Sequence, residues 1–386
     1  MILANYSHIF CTFVAETKIG FVYSEGKIMD FALTLLHWFR ENGRALPWRE
    51  TRDPYAVWLS EIILQQTQVK QGWAYWERFM RRWPTVEALA AATEDEVLRE
   101  WQGLGYYSRA RHLHHAARQI VARGAFPSTL ATLRSLKGVG DYTAAAIASI
   151  AFGLPVAVVD GNVYRVLARH YGIATPINTT EGKKEFSALA QSLLPQANPL
   201  PSASSSLPSA PSHLSSLPSA PSHLSSLSSA YNQAIMDFGA LVCTPQSPCC
   251  LACPLSESCV AFREGRVDQL PVKQKSLKPQ ERHLLYIYIR YKGETAIRRR
   301  PAGDIWQGLY EPLLSDQVPS GAVCLRHSVK HVLTHRILYA DFWLWQPPDR
   351  PTLPAGYFWI READIIDYGI PRLIEILLAT LPAPSP

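Results

Sequence analysis

From Met29 to about Phe262, apolar residues recur mostly at three- and four-residue intervals, the spacing of helices that bury one face. Asp53-Pro54 offers an N-cap followed by a proline suited to a first helical turn, and Val57, Trp58, Ile62 and Leu64 follow at helical spacing. The pattern predicts a second helix from about Val69 to Trp83, stopped at Pro84. Thr93 and Glu96 form a capping-box pair that opens a third, and a segment from Ser108 ends at Gly124, a C-cap residue. Further on the period changes. Leu285, Ile287 and Ile289 alternate with Tyr and Arg as in a strand, and residues 338–345 (LYADFWLW) form another strand candidate. A short helix is expected from about Arg372 to Thr380. The chain therefore divides into a mainly α region, 29–262, and an α+β domain, 283–382.

Three stretches break this order. Residues 199–229 carry LPSAPSHLSS twice, at 207–216 and 217–226, and so rich a Ser/Pro tract cannot bury enough apolar surface to order itself. It is expected to be a disordered insert in a surface loop. Residues 263–282 hold Arg263, Arg266, Lys273, Lys275, Lys278 and Arg282 against Glu264, Asp268 and Glu281, while Pro271 and Pro279 discourage helix. This is a basic interdomain linker, either tracking phosphates or simply solvated. Residues 1–28 precede the helical pattern and form an N-terminal extension or the product of a start assigned too far upstream. They lack the basic start and small-residue cleavage site of a signal peptide.

The chain has 386 residues, 47% of them hydrophobic, which suits two domains with real cores. The net charge of +6 pushes mildly toward a polyanionic partner. No apolar run approaches the roughly 18 residues of a membrane span. Of seven cysteines, Cys11 and Cys324 stand apart, and Cys243, Cys249, Cys250, Cys253 and Cys259 crowd together. A tight cluster in a chain this long points to metal ligation in a reducing compartment rather than to a disulfide framework. Four thiolates can hold an iron–sulfur cubane or a zinc ion.

Two further segments carry chemistry. LKGVGDYTAAAIASIAFG (136–153) resembles a helix-hairpin-helix motif: Gly138 and Gly140 let the backbone approach a phosphate, and the N–H groups opening the next helix can bond its oxygens. VVDGNVYRVLAR (158–169) puts Asp160 twenty residues after Gly140, where it can cap the helix beginning near Asn162. In VWLSEIILQQTQV (57–69), Glu61 is the lone acid among apolar neighbours, so it faces solvent, finds a partner, or performs a function.

LPWR (46–49), SEIILQQTQV (60–69), GLGYYSRAR (103–111), the hairpin, VDGNV and the spacing Cys243-x6-Cys250-x2-Cys253-x5-Cys259 occur here in the order found in the MutY adenine DNA glycosylases. The chain resembles that family, a branch of the endonuclease III-like helix-hairpin-helix superfamily, over about 29–262 without the insert and more weakly to the C-terminus. The resemblance implies a [4Fe–4S] cluster on Cys243, Cys250, Cys253 and Cys259, within a structural loop at 243–259. It implies that Glu61 protonates N7 of a flipped-out adenine and that Asp160 stabilises the oxocarbenium-like sugar or adds to C1′ transiently. Tyr142 and Asn162 would sit beside Asp160. Endonuclease III itself carries a lysine at the Tyr142 position, which allows strand cleavage; a tyrosine there implies a monofunctional glycosylase that leaves an abasic site. Tyr164 likewise stands where some members have a lysine. Gln66 and Tyr106 would wedge into the duplex, with Leu64 and Thr67 nearby, Gln233 would read the edge of adenine, and Arg49, Gly138 and Gly140 join the DNA-binding set.

The family's second domain resembles the Nudix fold and recognises 8-oxoguanine. RRRPAGDIWQGLYEP (298–312) matches its early pattern, but the glutamate-rich helix of hydrolytic Nudix enzymes is missing. Where the family usually has Phe-Ser-His, HVLTH (331–335) places Leu333, Thr334 and His335, so Thr334 and His335 are candidate lesion contacts. A plain strand edge with a surface histidine is the alternative. The implied substrate is double-stranded DNA with A opposite 8-oxoguanine or G, met by a monomer in a bacterial-type cytoplasm at the nucleoid. Two other readings stay open: an endonuclease III-like glycosylase/lyase, and a catalytically silent lesion binder.

Overall fold

The computed structural model of the chain describes residues 31–195, 226–274 and 279–383. The expected extension at 1–28 and both copies of the Ser/Pro repeat except Ser226 lie outside the described residues. The rest separates into two units: 31–61 with 127–135 and 139–274, and 62–126 with 136–138 and 279–383.

The first unit is helical: α1 (Phe31–Asn42), most of α2 (Pro54–Leu64), α7 (Leu130–Arg134), α8 (Asp141–Ile150), α9 (Gly161–Tyr171), α10 (Thr180–Leu193), α11 (Leu227–Leu241) and α12 (Val260–Arg263). Asp53 caps α2 as its sequence predicts, its Oδ1 accepting from the N–H of Tyr55 at 3.0 Å. Helix α8 is rich in alanine and buried from Thr143 to Ile150, which lets α11 pack closely against it. α11 also packs on α1 and α9. Its start corrects the expected insert boundary. Ser226 caps α11 through the N–H of Ser229, and residues 227–229 are helical, with Ser228 and Ser229 buried. A serine run that looks loop-like is drawn into a helix because its small side chains fit a tight helix–helix contact.

The linker is also shorter and more structured than its composition suggests. Val267–Gln269 form a 3-10 turn, Leu270 is buried, and the chain docks on the α9–α10 connection through Ile177 N–H to Val272 O (3.0 Å) and Gln274 N–H to Asn178 Oδ1 (2.9 Å). Strand β1 already begins at Gln280.

The second unit holds the end of α2 and helices α3 (Val69–Arg82), α4 (Val86–Ala91), α5 (Glu94–Glu100) and α6 (Ser108–Arg123), then the sheet and α13 (Arg372–Leu378). The Thr93–Glu96 capping box forms in both directions, and Gly124 closes α6 in the left-handed conformation at φ 77°. The six strands are β1 (Gln280–Ile289), β2 (Glu294–Arg299), β3 (Tyr310–Leu314), β4 (Val323–Val332), β5 (Arg336–Trp345) and β6 (Tyr357–Arg361), in the order β4-β5-β1-β3-β2-β6, with β1 and β5 parallel and the other pairs antiparallel. β5 alternates in burial as expected, with Leu338, Ala340, Phe342 and Leu344 inside. β1 does not: Tyr286 and Tyr288 are as buried as Ile287 and Ile289. A central strand is covered on both faces. Here Leu373, Ile374 and Leu377 of α13 cluster with the tyrosines, and Trp343, Trp345 and Trp359 with the isoleucines. In the 298–312 segment, fully buried Glu311 pairs with Arg298 and Arg300 and accepts from Tyr286 Oη at 2.9 Å. No helix among the described residues is long and apolar enough to cross a membrane.

Candidate functional site

Glu61 lies in the last turns of α2, 8% exposed, so the solvent-facing alternative fails. Tyr142, in the first turn of α8, donates its hydroxyl to Glu61 Oε2 at 2.8 Å and lies 3.5 Å from Met236 Sδ. Burial pushes the Glu61 carboxyl up to about 7, with the charge of Asp160 adding to the rise and the Tyr142 bond and Arg49 opposing it. Burial also drives the Tyr142 phenol well above its ordinary value. The two acids, ninety-nine residues apart in sequence, thus share one site.

Asp160 is the N-cap of α9. Oδ1 accepts from the N–H groups of Asn162 (2.9 Å) and Val163 (2.8 Å), and Oδ2 accepts from Asn162 Nδ2 at 2.7 Å. Burial raises this carboxyl too, but these three donors to the ionised form oppose the rise. Asp160 and Glu61 are therefore set apart: one is surrounded by hydrogen-bond donors, the other is buried with a single bond. Pairs tuned apart in this way are suited to opposite protonation states.

Behind Asp160 stands Arg165, which the sequence reading did not single out. It is 8% exposed and donates to Asn162 Oδ1 (Nη2, 2.9 Å), Gly239 O (Nη2, 2.6 Å), Gly161 O (Nη1, 3.3 Å) and Cys243 O (Nε, 2.6 Å). A hydrogen-bonded chain thus runs from Asp160 through Asn162 and Arg165 to the first cysteine of the 243–259 loop. The signal that could have found Arg165 is a charge on the buried stripe of α9, a position that demands several partners.

Cys243, Cys250, Cys253 and Cys259 are free thiols and line one cavity with Arg169 and Phe262. Arg169 clamps the loop. Its Nη1 donates to Thr244 O at 2.7 Å and lies 3.5 Å from Cys243 Sγ, and its Nε reaches Val267 O and Leu270 O at 3.0 Å each. Four soft donors around one cavity, braced by a cation, fit an anionic metal–sulfur group.

Arg49 lies inside the unit rather than on an open face. Both of its Nη atoms donate to fully buried Asp237, at 2.8 and 2.7 Å, and Arg44 pairs with the same carboxylate. Asp237 was absent from the sequence reading. Gln233 is 1% exposed; its Nε2 donates to Ser229 Oγ at 3.1 Å and its Oε1 is buried with no hydrogen-bond partner among the described residues.

In the second unit, Gln66 and Tyr106 are exposed on loops, while Leu64 and Thr67 are half-buried. The β4–β5 turn carries Leu333, Thr334 and His335, the last two exposed. The hydroxyls of Tyr106 and Thr334 lie 2.8 Å apart. Gly138 adopts φ 79°, and a Cβ there would meet His112 Cβ at 2.6 Å. Gly138→Ala is expected to cost about 1–2 kcal/mol in backbone strain alone, read as a lower melting temperature. Gly140 needs no such freedom: its φ is −86° and no described residue lies within 4 Å of where a Cβ would stand. The bare backbone at the N-terminus of α8 is what a phosphate would meet.

Residues 59–196 match the model for HhH-GPD superfamily base excision DNA repair protein, and residues 285–380 match that for the NUDIX domain. The adenine DNA glycosylase of Homo sapiens is 40% identical over 255 residues, covering 63% of this chain; the match spans only 41% of the human protein's length. The adenine DNA glycosylase of Buchnera aphidicola subsp. Schizaphis graminum (strain Sg) is 32% identical over 286 residues, covering 73% of this chain and 74% of that protein. Among solved structures, a thermostable thymine-DNA glycosylase matches with a TM-score of 0.50 and 27% identity, over 61% of this chain and 95% of the other. Matched at 32% identity over 74% of that relative's length, the chain belongs to the family of adenine DNA glycosylases.

Proposed function

We propose that this protein is a monofunctional DNA glycosylase of base excision repair that flips adenine out of its mispair with 8-oxoguanine or G and hydrolyses the bond to the sugar. The observation that carries it is the Glu61 carboxyl, buried, bonded to Tyr142 and raised to about 7 in the field of Asp160. Adenine leaves poorly unless N7 is protonated, and a carboxyl that keeps its proton near neutral pH is a suitable general acid. The Tyr142 hydroxyl occupies Oε2 and leaves Oε1 to deliver the proton. Asp160, whose ionised form accepts from two N–H groups and Asn162 Nδ2, stabilises the developing positive charge at C1′. Tyr142 has no amine with which to form a Schiff base, so no strand is cut.

Base extrusion costs a few kcal/mol. Gln66 and Tyr106 fill the gap, with Leu64 and Thr67 behind them. Gln233, with its unpartnered buried Oε1, pairs with the adenine edge, since adenine's amino group supplies the missing donor. Gly138, Gly140 and the opening N–H groups of α8 grip phosphate. Thr334 and His335 recognise 8-oxoguanine, and the Thr334–Tyr106 contact ties that turn to the wedge. Arg49 acts through Asp237 and the field at Glu61 rather than on DNA directly. Cys243, Cys250, Cys253 and Cys259 hold a [4Fe–4S] cluster, which supplies rigidity to the loop. The protein works as a monomer on the DNA of a bacterial-type cytoplasm.

The test is a duplex with A opposite 8-oxoguanine, incubated with the protein and then treated with alkali. Adenine release with strand breaks only after alkali is expected. Cutting without alkali marks a lyase, and tight binding without release marks a silent binder; either overturns the proposal. Isolated protein should be brown, with iron and sulfide in equal amounts, whereas a colourless zinc protein would refute the cluster assignment.

A further inference from the structure

Among the non-glycine residues that the second unit holds in the left-handed region, two lie on loops that meet one side chain: Gln66 at φ 57° and Tyr106 at φ 46°. Such backbones cost about 1–3 kcal/mol each and persist only where their surroundings enforce them. Both are enforced by one side chain, Arg109, in the first turn of α6. Its Nη1 donates to the carbonyls of Ile62 (3.0 Å), Ile63 (3.1 Å) and Gln65. Its Nη2 reaches those of Leu104 and Gly105, at 3.4 Å each. Its guanidinium lies over the rings of Trp101 and Tyr106, 5.1 and 5.5 Å from their centroids.

The choice of carbonyls matters. Those of Ile62 and Ile63 belong to the last turn of α2 and have no partner within the helix. Those of Gln65 and Gly105 belong to the peptide planes directly before Gln66 and Tyr106, the planes about which the two positive φ angles turn. Holding each plane fixes the strained angle that follows it. The arrangement persists although Arg109 Nε is buried with no hydrogen-bond partner among the described residues. Burial lowers the guanidinium to about 10, which leaves it charged at neutral pH.

We propose that Arg109 is a positioning residue for base extrusion: it joins the Gln66 and Tyr106 loops into one preformed wedge. The inference rests on the reading of those two residues as the wedge. Loops ordered in advance do not have to be ordered while the duplex is being opened. Only a planar fork can serve both loops at once; a lysine ammonium offers the charge without that geometry.

Arg109→Lys and Arg109→Gln are compared with the unaltered protein in three measurements: fluorescence of 2-aminopurine placed opposite 8-oxoguanine, which rises on unstacking; affinity for a duplex with an abasic site already opposite 8-oxoguanine, where no base needs extruding; and thermal unfolding. Both variants should extrude the base about tenfold or more slowly, bind the abasic duplex within about threefold of the unaltered protein, and unfold cooperatively. Extrusion at the unaltered rate in either variant overturns the proposal, as does an equal loss of affinity for the abasic duplex. If the unaltered protein itself releases no adenine from the A:8-oxoguanine duplex, the glycosylase reading fails instead, so the two failures are distinguishable.

Discussion

Glu61→Gln is expected to abolish adenine release, lowering the single-turnover rate by about 10³-fold or more, because a general acid contributes roughly 10²–10⁴ and glutamine has no proton to transfer. Glutamine keeps the shape and can still accept from Tyr142, so binding of the mispaired duplex should survive. In the unaltered protein the rate should fall as pH rises through about 7, where Glu61 loses its proton, and fall again at acid pH as Asp160 becomes protonated. The two carboxyls are coupled, so the apparent values belong to the pair. A rate that stays level from pH 6 to 9 would sink the general-acid assignment.

The same shift has a sign for stability. The folded-state carboxyl binds its proton more tightly than the unfolded one, whose value is 4.5. Stability is therefore fully present below that value and is lost as pH rises to about 7, a difference on the order of 3 kcal/mol. Glu61→Gln removes that penalty. The inactive variant should melt at a higher temperature than the unaltered protein at pH 8, and the gap should close toward pH 5. An inactive variant that is also less stable at pH 8 would indicate a structural role for Glu61.

Arg165→Lys is expected to be nearly as damaging, although it conserves charge. Its guanidinium serves four acceptors in three directions, and an ammonium cannot span Asn162, Gly239 and Cys243 together. Buried carbonyls left without donors cost about 1–3 kcal/mol each, so a total loss of about 3–5 kcal/mol is expected. That corresponds to roughly 10 °C in melting temperature for a unit of this size. Because Asn162 loses its anchor, Asp160 loses the donor at Oδ2. The acid limb of the pH–rate profile should then move toward neutrality, a change that destabilisation alone would not produce. An unmoved limb would show that Arg165 acts on stability only. Iron content measured alongside reports whether the cysteine loop also loosens.

The sequence alone determined the local elements and the chemistry they carry. Asp53, Thr93 and Gly124 signalled helix ends because caps are satisfied within a few residues. Asp160 was legible as a cap for the same reason, and Cys243, Cys250, Cys253 and Cys259 were legible as one group because they lie within seventeen residues. The tertiary structure decided whatever depends on distant partners. It put Glu61 against Tyr142 and in the field of Asp160, and it spent Arg49 on Asp237. It also made Arg165 and Arg109 hubs, buried Tyr286 and Tyr288 by covering β1 on both faces, and turned Leu227–Ser229 into the start of α11. In each case the side chain's own propensity is weak, while burial makes a partner 44 or more residues away the dominant energy; no short window of sequence contains that term.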